Sequence, residues 1–169
     1  MAPLETKWQS NFASGYEITS ILATNNGVYT AKNGAVFHLD DNGSVTASNN
    51  LPGTGYNEVR LAASNGGSLL IAGTNGYVVG LNAQSLQAQW TTDLPDSGYD
   101  VTNVSCVDGR VYTGCNGHLY RLRISNGNVE AHNPLSKHGH NEVRFGHAAS
   151  SKTVVVGTDG WAVGLRDET

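Results

Sequence analysis

The chain is short of charge, of sulfur and of long apolar runs, and each shortage removes a class of protein. Asp, Glu, Lys and Arg supply 14% of the 169 residues, the formal net charge is −4, and the ten Lys and Arg are scattered rather than clustered. Such a surface offers no field to a phosphate backbone, so no nucleic-acid partner is expected. No segment reaches the roughly 18 consecutive apolar residues of a membrane-spanning helix, and no apolar leader follows Met1, so no membrane partner is expected. The only cysteines, Cys106 and Cys115, flank an Asp108-Gly109 turn. In a two-residue hairpin Cys106 faces Val111 and Cys115 faces Thr102, so the sulfurs do not meet. Free thiols fit a reducing compartment, and a cytoplasmic location is expected. Also missing are a Gly-x-Ser-x-Gly elbow, a Walker loop, a His-Glu-x-x-His helix and a dinucleotide fingerprint, so no catalytic residue is assigned by motif.

What the chain has in excess is glycine, 21 residues, with Asn, Ser and Thr filling much of the remainder. That mixture suits many turns between short strands, and an all-β protein is expected. An Asx-Gly dipeptide recurs at Asn33-Gly34, Asn75-Gly76, Asn116-Gly117 and Asp159-Gly160, at intervals of 42, 41 and 43 residues. Asx-Gly is the pair a type I′ hairpin demands, because both central positions take φ > 0. A fixed period of this size marks a repeat architecture.

Each repeat reads as four strands joined by tight turns. In the first, Ile18–Ala23, Val28–Thr30, Val36–Leu39 and Ser44–Ala47 are separated by Asn25-Asn-Gly27, Asn33-Gly34 and Asp41-Asn-Gly43. The repeats open at Gly15-Tyr16, Gly55-Tyr56, Gly98-Tyr99 and Gly139-His140, and the last lacks its fourth strand. Trp8-Gln-Ser-Asn-Phe12 aligns with Trp90-Thr-Thr-Asp-Leu94 and can serve as that outer strand. Radially arranged four-stranded units of about 40–45 residues are propeller blades, and a strand from the other terminus protects the seam. The expected architecture is one four-bladed β-propeller of four-stranded antiparallel blades, approximately 15–53, 54–96, 97–137 and 138–169, with the N-terminal strand, residues 5–10, completing the last.

The runs Asn75-Gly-Tyr-Val-Val-Gly-Leu-Asn-Ala-Gln-Ser-Leu-Gln-Ala-Gln-Trp90 and Asn116-Gly-His-Leu-Tyr-Arg-Leu-Arg-Ile-Ser-Asn-Gly-Asn-Val129 resemble the repeat of quinoprotein-type (PQQ-like) propellers. In that family a Gly turn, an aliphatic strand ending in Ala-Leu-Asp, a Thr-Gly-Lys turn and a Trp recur in each blade. The resemblance covers nearly the whole chain and implies blade structure. Members that bind the quinone have about eight blades, acidic and aromatic ligands around the channel and often adjacent cysteines. Four blades and two separated thiols depart from that pattern, so no cofactor is expected. Other members are non-catalytic interaction scaffolds.

Aligned blade by blade, the repeats alternate in kind. Blades two and four carry Asn57-Glu58-Val-Arg60 and Asn141-Glu142-Val-Arg144, an aromatic after the turn (Tyr77, Trp161), and a Trp (Trp90, Trp8). Blades one and three carry Glu17-Ile-Thr19 and Asp100-Val-Thr102, with Ala47 and Ala131 in place of the Trp. The repeating unit is therefore a blade pair of 84 residues, an internal pseudo-two-fold that would duplicate any site.

Asn57, Glu58 and Arg60, with Asn141, Glu142 and Arg144, are the leading chemical candidates. Residues two apart lie on one side of a strand, so each Glu and Arg can knit blades together. The same groups can instead present a fork donor and acceptors to a sugar or carboxylate. Tyr77, His118 and Trp161, just past the Asx-Gly turns, are either packing residues or stacking platforms. His132, His138, His140 and His147 suggest a metal, but Tyr16, Tyr56 and Tyr99 stand where His140 does, which marks a packing position, and no metal site is expected.

The leading functional expectation is a non-catalytic, lectin-like protein with duplicated carbohydrate-binding sites on one rim, for a sugar or another small polar ligand. Two alternatives stand beside it. One is a small-molecule enzyme using Glu58, Glu142, Asp100 and the histidines as acid–base groups in the channel. The other is a protein-interaction scaffold.

Overall fold

The computed structural model describes residues 3–12, 18–148 and 151–167. The expected all-β, four-bladed propeller forms, each blade an antiparallel meander paired in sequence order. Blade one comprises β1 (Ser20–Thr24), β2 (Gly27–Lys32), β3 (Ala35–Leu39) and β4 (Val45–Asn49). Blade two comprises β5 (Arg60–Ala63), β6 (Leu69–Thr74), β7 (Tyr77–Asn82) and β8 (Ala88–Asp93). Blade three comprises β9 (Asn103–Val107), β10 (Arg110–Cys115), β11 (His118–Arg123) and β12 (Val129–Asn133). Blade four comprises β13 (Arg144–Ala148), β14 (Thr153–Thr158) and β15 (Trp161–Arg166). The opening of the first repeat, Gly15-Tyr16, lies outside the described residues.

The turns form for the reason their composition implies. Asn33, Asn75, Asn116 and Asp159 have φ between 45° and 51°, and the glycines after them between 72° and 79°, the consecutive positive pair of a type I′ turn. Each fixes the register of its hairpin, as in Thr74↔Tyr77 and Cys115↔His118. Between the third and fourth strands the ladder slips at His38/Leu39, Gly80/Leu81 and Arg121/Leu122. A bulge there adds twist and turns the outer strand away from its neighbours.

The blades stack in chain order through three apolar clusters. Tyr29, Ala31 and Val36 of blade one meet Val59, Leu70 and Leu81 of blade two. Ile71 and Val78 of blade two meet Val111, Tyr120 and Leu122 of blade three. Tyr112 and Leu119 of blade three meet Val143, Val154 and Val156 of blade four. Blades two and three are thus buried on both faces, whereas in β14 Val154 and Val156 are buried and Val155 is exposed.

The two kinds of blade have a steric basis. In blade two Gly80 pairs with Trp90, whose indole lies where a Cβ on Gly80 would be. In blades one and three the bulk comes from the other strand, His38 opposite Ala47 and Arg121 opposite Ala131. One slot facing the next blade is filled from alternate strands.

One expectation is corrected. Residues 5–10 do not complete the last blade: that sheet has three strands, and the segment forms no ladder with β15. It lies instead on the far face of blade one, where Phe12 stacks on Phe37 at 5.3 Å and the Ser10 hydroxyl donates to the Gly43 carbonyl. The physical reason is that the first and fourth blades do not meet among the described residues. Val59, Thr102 and Val143, four residues after each opening glycine, are fully buried beneath the preceding blade, but their counterpart Thr19 is exposed. A Cβ on Gly73 or Gly114 would strike Thr102 or Val143, whereas one on Gly157 would touch only its own sheet.

Candidate binding face

The Asx-Gly turns and the inter-blade connections lie on one face of the propeller, tied together by hydrogen bonds from the turn-glycine amides. Gly34 N donates to Asn57 O and Gly117 N to Asn141 O, both at 3.0 Å, and Gly76 N donates to Thr102 Oγ1 at 2.7 Å. The connections therefore present the residue after each opening glycine outward. Tyr56 and Tyr99, equivalent positions of adjacent blades, are each 86% exposed, and Trp161 on the same face is 56% exposed.

Asn57 and Asn141 have the same structural engagement. Asn57 Nδ2 donates to Asn75 Oδ1 at 3.0 Å while its Oδ1 accepts from Glu58 N at 2.7 Å. Asn141 Nδ2 donates to Asp159 Oδ1 at 3.1 Å, and its Oδ1 accepts from Glu142 N at 2.8 Å. Asn75 in turn donates to Thr54 O at 2.8 Å. Each side-chain amide links an Asx-Gly turn to its own blade's opening.

Glu58, Arg60, Glu142 and Arg144 are brought together along the inner strands. Glu58 pairs with Arg60 at 2.8 Å, and Arg60 reaches Glu142 at 3.8 Å. Arg144 donates to both oxygens of Glu142, at 3.1 and 3.2 Å, and Asn103 Nδ2 donates to Glu142 Oε1 at 3.1 Å. Burial alone would raise the Glu142 carboxyl, but the hydrogen bonds from Asn103 and Arg144, with the charges of Arg144 and Arg60, hold it below the ordinary value. The cavity beside this network, about 300 Å³, is lined by Ile18, Ile21, Leu61 and Val104 with Arg60 and Asn103. Asp100, the remaining carboxylate of the enzyme alternative, accepts from Val101 N at 2.7 Å.

The aromatics do not form one platform. Tyr77 is half-buried at the start of β7. His118 is buried, with Nδ1 at 2.9 Å from His132 Nε2 and its ring stacked on His132 and Tyr120. Burial and then the neighbouring His132 push the His118 imidazole below its ordinary value. Trp161 meets His138 edge-on at 5.1 Å. The histidines divide, His118 with His132 and His140, His138 with Trp161, and His147 with Asp167. Among the described residues no three His, Cys, Asp or Glu side chains are placed to hold a metal.

Asp167 is the charged hub that sequence reasoning missed. It accepts from Arg121 Nη1 at 2.5 Å and from the Tyr112 hydroxyl, and Arg110 and His147 approach to 3.6 and 3.7 Å. Burial raises its carboxyl, and the Tyr112 and Arg121 hydrogen bonds with the Arg121 and Arg110 charges outweigh that and hold it low. The hub borders a cavity of about 460 Å³ between blades three and four, lined by Arg121 and Ala131 among others. Its only sequence signal is the concentration of Arg110, Arg121 and Arg123 in blade three. Cys106 and Cys115 are free, Cys106 opposite Val111 and Cys115 beside Thr102 as the hairpin requires. Their separation is set by register in any compartment, so it carries no information on location.

A family profile described as outer membrane protein assembly factor BamB matches residues 5–166. No curated protein matches the sequence. Among solved structures, BamB from Moraxella catarrhalis is 18% identical over 86% of this chain and 47% of its own, with a TM-score of 0.61. Sqt1 from Saccharomyces cerevisiae is 13% identical over 88% and 45%, with a TM-score of 0.67. The RRP9 WD40 repeats are 14% identical over 90% and 52%, with a TM-score of 0.63. The chain spans about half the length of each of these structures. With four Asx-Gly-punctuated blades and a profile match that runs from the N-terminal segment through β15, the chain belongs to the PQQ-like propeller family that the BamB profile describes.

Proposed function

We propose that the chain is a non-catalytic protein-interaction scaffold that binds a polypeptide across its turn face. The observation that carries this reading is the pair Tyr56 and Tyr99, held on adjacent connections and almost wholly exposed. Exposed tyrosines on a rigid frame lose little conformational entropy on binding and are typical anchors of protein interfaces. The polar groups beside them, Asn57 and Asn141, are engaged in internal hydrogen bonds, and Arg60 and Arg144 are held by Glu58 and Glu142. The family description, an assembly factor for outer membrane proteins, agrees with a polypeptide ligand.

The test compares the wild-type chain with a Tyr56→Ser, Tyr99→Ser double variant on two arrays, one of random peptides and one of glycans. Peptide hits lost in the variant, at unchanged melting temperature, are expected. Glycan hits with no peptide hits would overturn the scaffold reading in favour of carbohydrate binding, through Tyr56 and Tyr99 where the variant loses them and through Trp161, Tyr77 and the Glu–Arg pairs where it keeps them.

A further inference from the structure

We propose that the cavity between Ala35 and Tyr56 on the turn face is a pocket for an aromatic side chain of the bound polypeptide. The site rests on the scaffold reading only for the source of that ring.

The residue after the Asx-Gly turn is Ala35, Tyr77, His118 and Trp161 in blades one to four, so three blades place a ring there and blade one a methyl group. The four positions are equivalent in register: Lys32↔Ala35, Thr74↔Tyr77, Cys115↔His118 and Thr158↔Trp161 each close the hairpin in the same way. His118 lies near His140 on the connection that leaves its blade, ring centroids 6.4 Å apart. Those connections are themselves repeats, Leu51-Pro-Gly-Thr-Gly-Tyr56, Leu94-Pro-Asp-Ser-Gly-Tyr99 and Leu135-Ser-Lys-His-Gly-His140. Each is closed by a hydrogen bond to its leucine carbonyl, from Thr54 Oγ1 at 2.8 Å, Ser97 Oγ at 2.7 Å and His138 Nδ1 at 3.1 Å. Tyr56 is therefore the counterpart of His140, and Ala35 of His118.

In blade three a ring occupies the space beside His140, whereas in blade one the space between Ala35 and Tyr56 is a cavity of about 480 Å³. Asn33, Asn50, Pro52 and Gly53 contribute to its lining, and none of the described lining residues carries a charge. The volume falls within the roughly 300–1,000 Å³ of ligand pockets, which combine apolar walls with a few polar groups. Apolar surface from Ala35 and Pro52, with side-chain amides from Asn33 and Asn50, suits a ring that bears one hydrogen-bonding group. Tyr77 and His118 are rings of that kind at the equivalent position. A charged side chain would lose its hydration there with no opposite charge to meet it. Tyr56, one wall of the cavity, is 86% exposed. A polypeptide that engages Tyr56 therefore runs beside the cavity and can lower a ring into it.

The probe is N-acetyl-tyrosinamide, titrated into the isotope-labelled wild-type chain and followed by backbone amide shifts in NMR, with N-acetyl-leucinamide as the control. Saturable shifts centred on Gly34, Ala35, Gly53 and Tyr56 are expected. The leucine amide, which lacks the ring contacts, is expected to bind at least about threefold more weakly. Shifts centred elsewhere, no shifts, or equal affinity for the two amides overturn the proposal, and none of these results depends on a variant. Ala35→Tyr gives blade one the residue that blade two carries, so it is expected to fold with an unchanged or higher melting temperature and to weaken the tyrosine amide about tenfold or more. A folded Ala35→Tyr chain that binds the amide as the wild type does overturns the pocket. The two readings separate on the peptide array. Peptide hits that survive Ala35→Tyr, with no amide shifts in the wild type, overturn the pocket and leave the scaffold standing. Tyrosine-amide binding at Ala35 without any peptide hits overturns the scaffold and leaves the pocket.

Discussion

The most direct test of the two-kinds-of-blade packing is a double-mutant cycle at Gly80 and Trp90. Trp90 fills the slot above Gly80, touches Gly127 of the next blade and donates from Nε1 to Ile124 O at 3.0 Å. Its side chain is half-buried, so Trp90→Ala falls at the lower end of the range for aromatic truncation, about 3 kcal/mol. For a domain of this size that is a fall in Tm of roughly 6–12 °C. Gly80→Leu alone drives a side chain into the indole and costs about 2 kcal/mol as overpacking. Gly80 has no positive φ, so backbone strain does not enter. Combined, the two changes reproduce the arrangement of blades one and three, bulk on the third strand and Ala on the fourth. The new Leu recovers about 1.5 kcal/mol of burial and its clash disappears, leaving a net cost of about 1.5 kcal/mol. Urea unfolding followed by far-ultraviolet circular dichroism, which does not depend on Trp90 as a probe, gives all four corners of the cycle. Additive losses totalling about 5 kcal/mol would refute the shared-slot reasoning.

Two further outcomes follow from the same structure. Gly109 and Gly117 both have φ of 75°, but a Cβ on Gly109 meets nothing while one on Gly117 strikes the Gly139 carbonyl. Gly109→Ala is expected to cost about 1 kcal/mol of left-handed strain, and Gly117→Ala distinctly more by urea midpoint; equal costs would show that the turn is not pinned against the next connection. Asp167 has a carboxyl held below its ordinary 3.8, so its contribution to stability is complete above that value and is lost as pH falls through 3.8 toward the lower folded-state value. Asp167→Asn is expected to lower stability at pH 7, by a margin that shrinks as pH is lowered below 3.8. A difference that stays constant as pH falls below 3.8 would place the stabilising charge elsewhere.

Much of the blade structure was legible because its determinants are local. Asn33-Gly34 and its three counterparts demand positive φ at two successive residues, and that demand sets hairpin direction and register without help from the rest of the chain. Cys106 and Cys115 were placed apart by the same register. The candidate site was legible only in part. Glu58 and Arg60 were expected on one side of a strand and pair there, but the link from Arg60 to Glu142, two blades away, depends on how sheets stack. Asp167 carried no motif because its partners Arg110, Arg121, Tyr112 and His147 come from two different blades.

By itself, then, the sequence determined the all-β class, the number and order of the blades, their turns and their alternation in pairs, since each follows from backbone preferences and side-chain size within some 40 residues. Only the tertiary structure decided that Trp8 lies on Gly43 rather than against β15, and that Thr19 stays exposed where Val59, Thr102 and Val143 are buried. Whether an array of blades closes depends on the angle accumulated from one sheet to the next. That angle is set by the side chains packed between sheets, which the strand period does not encode.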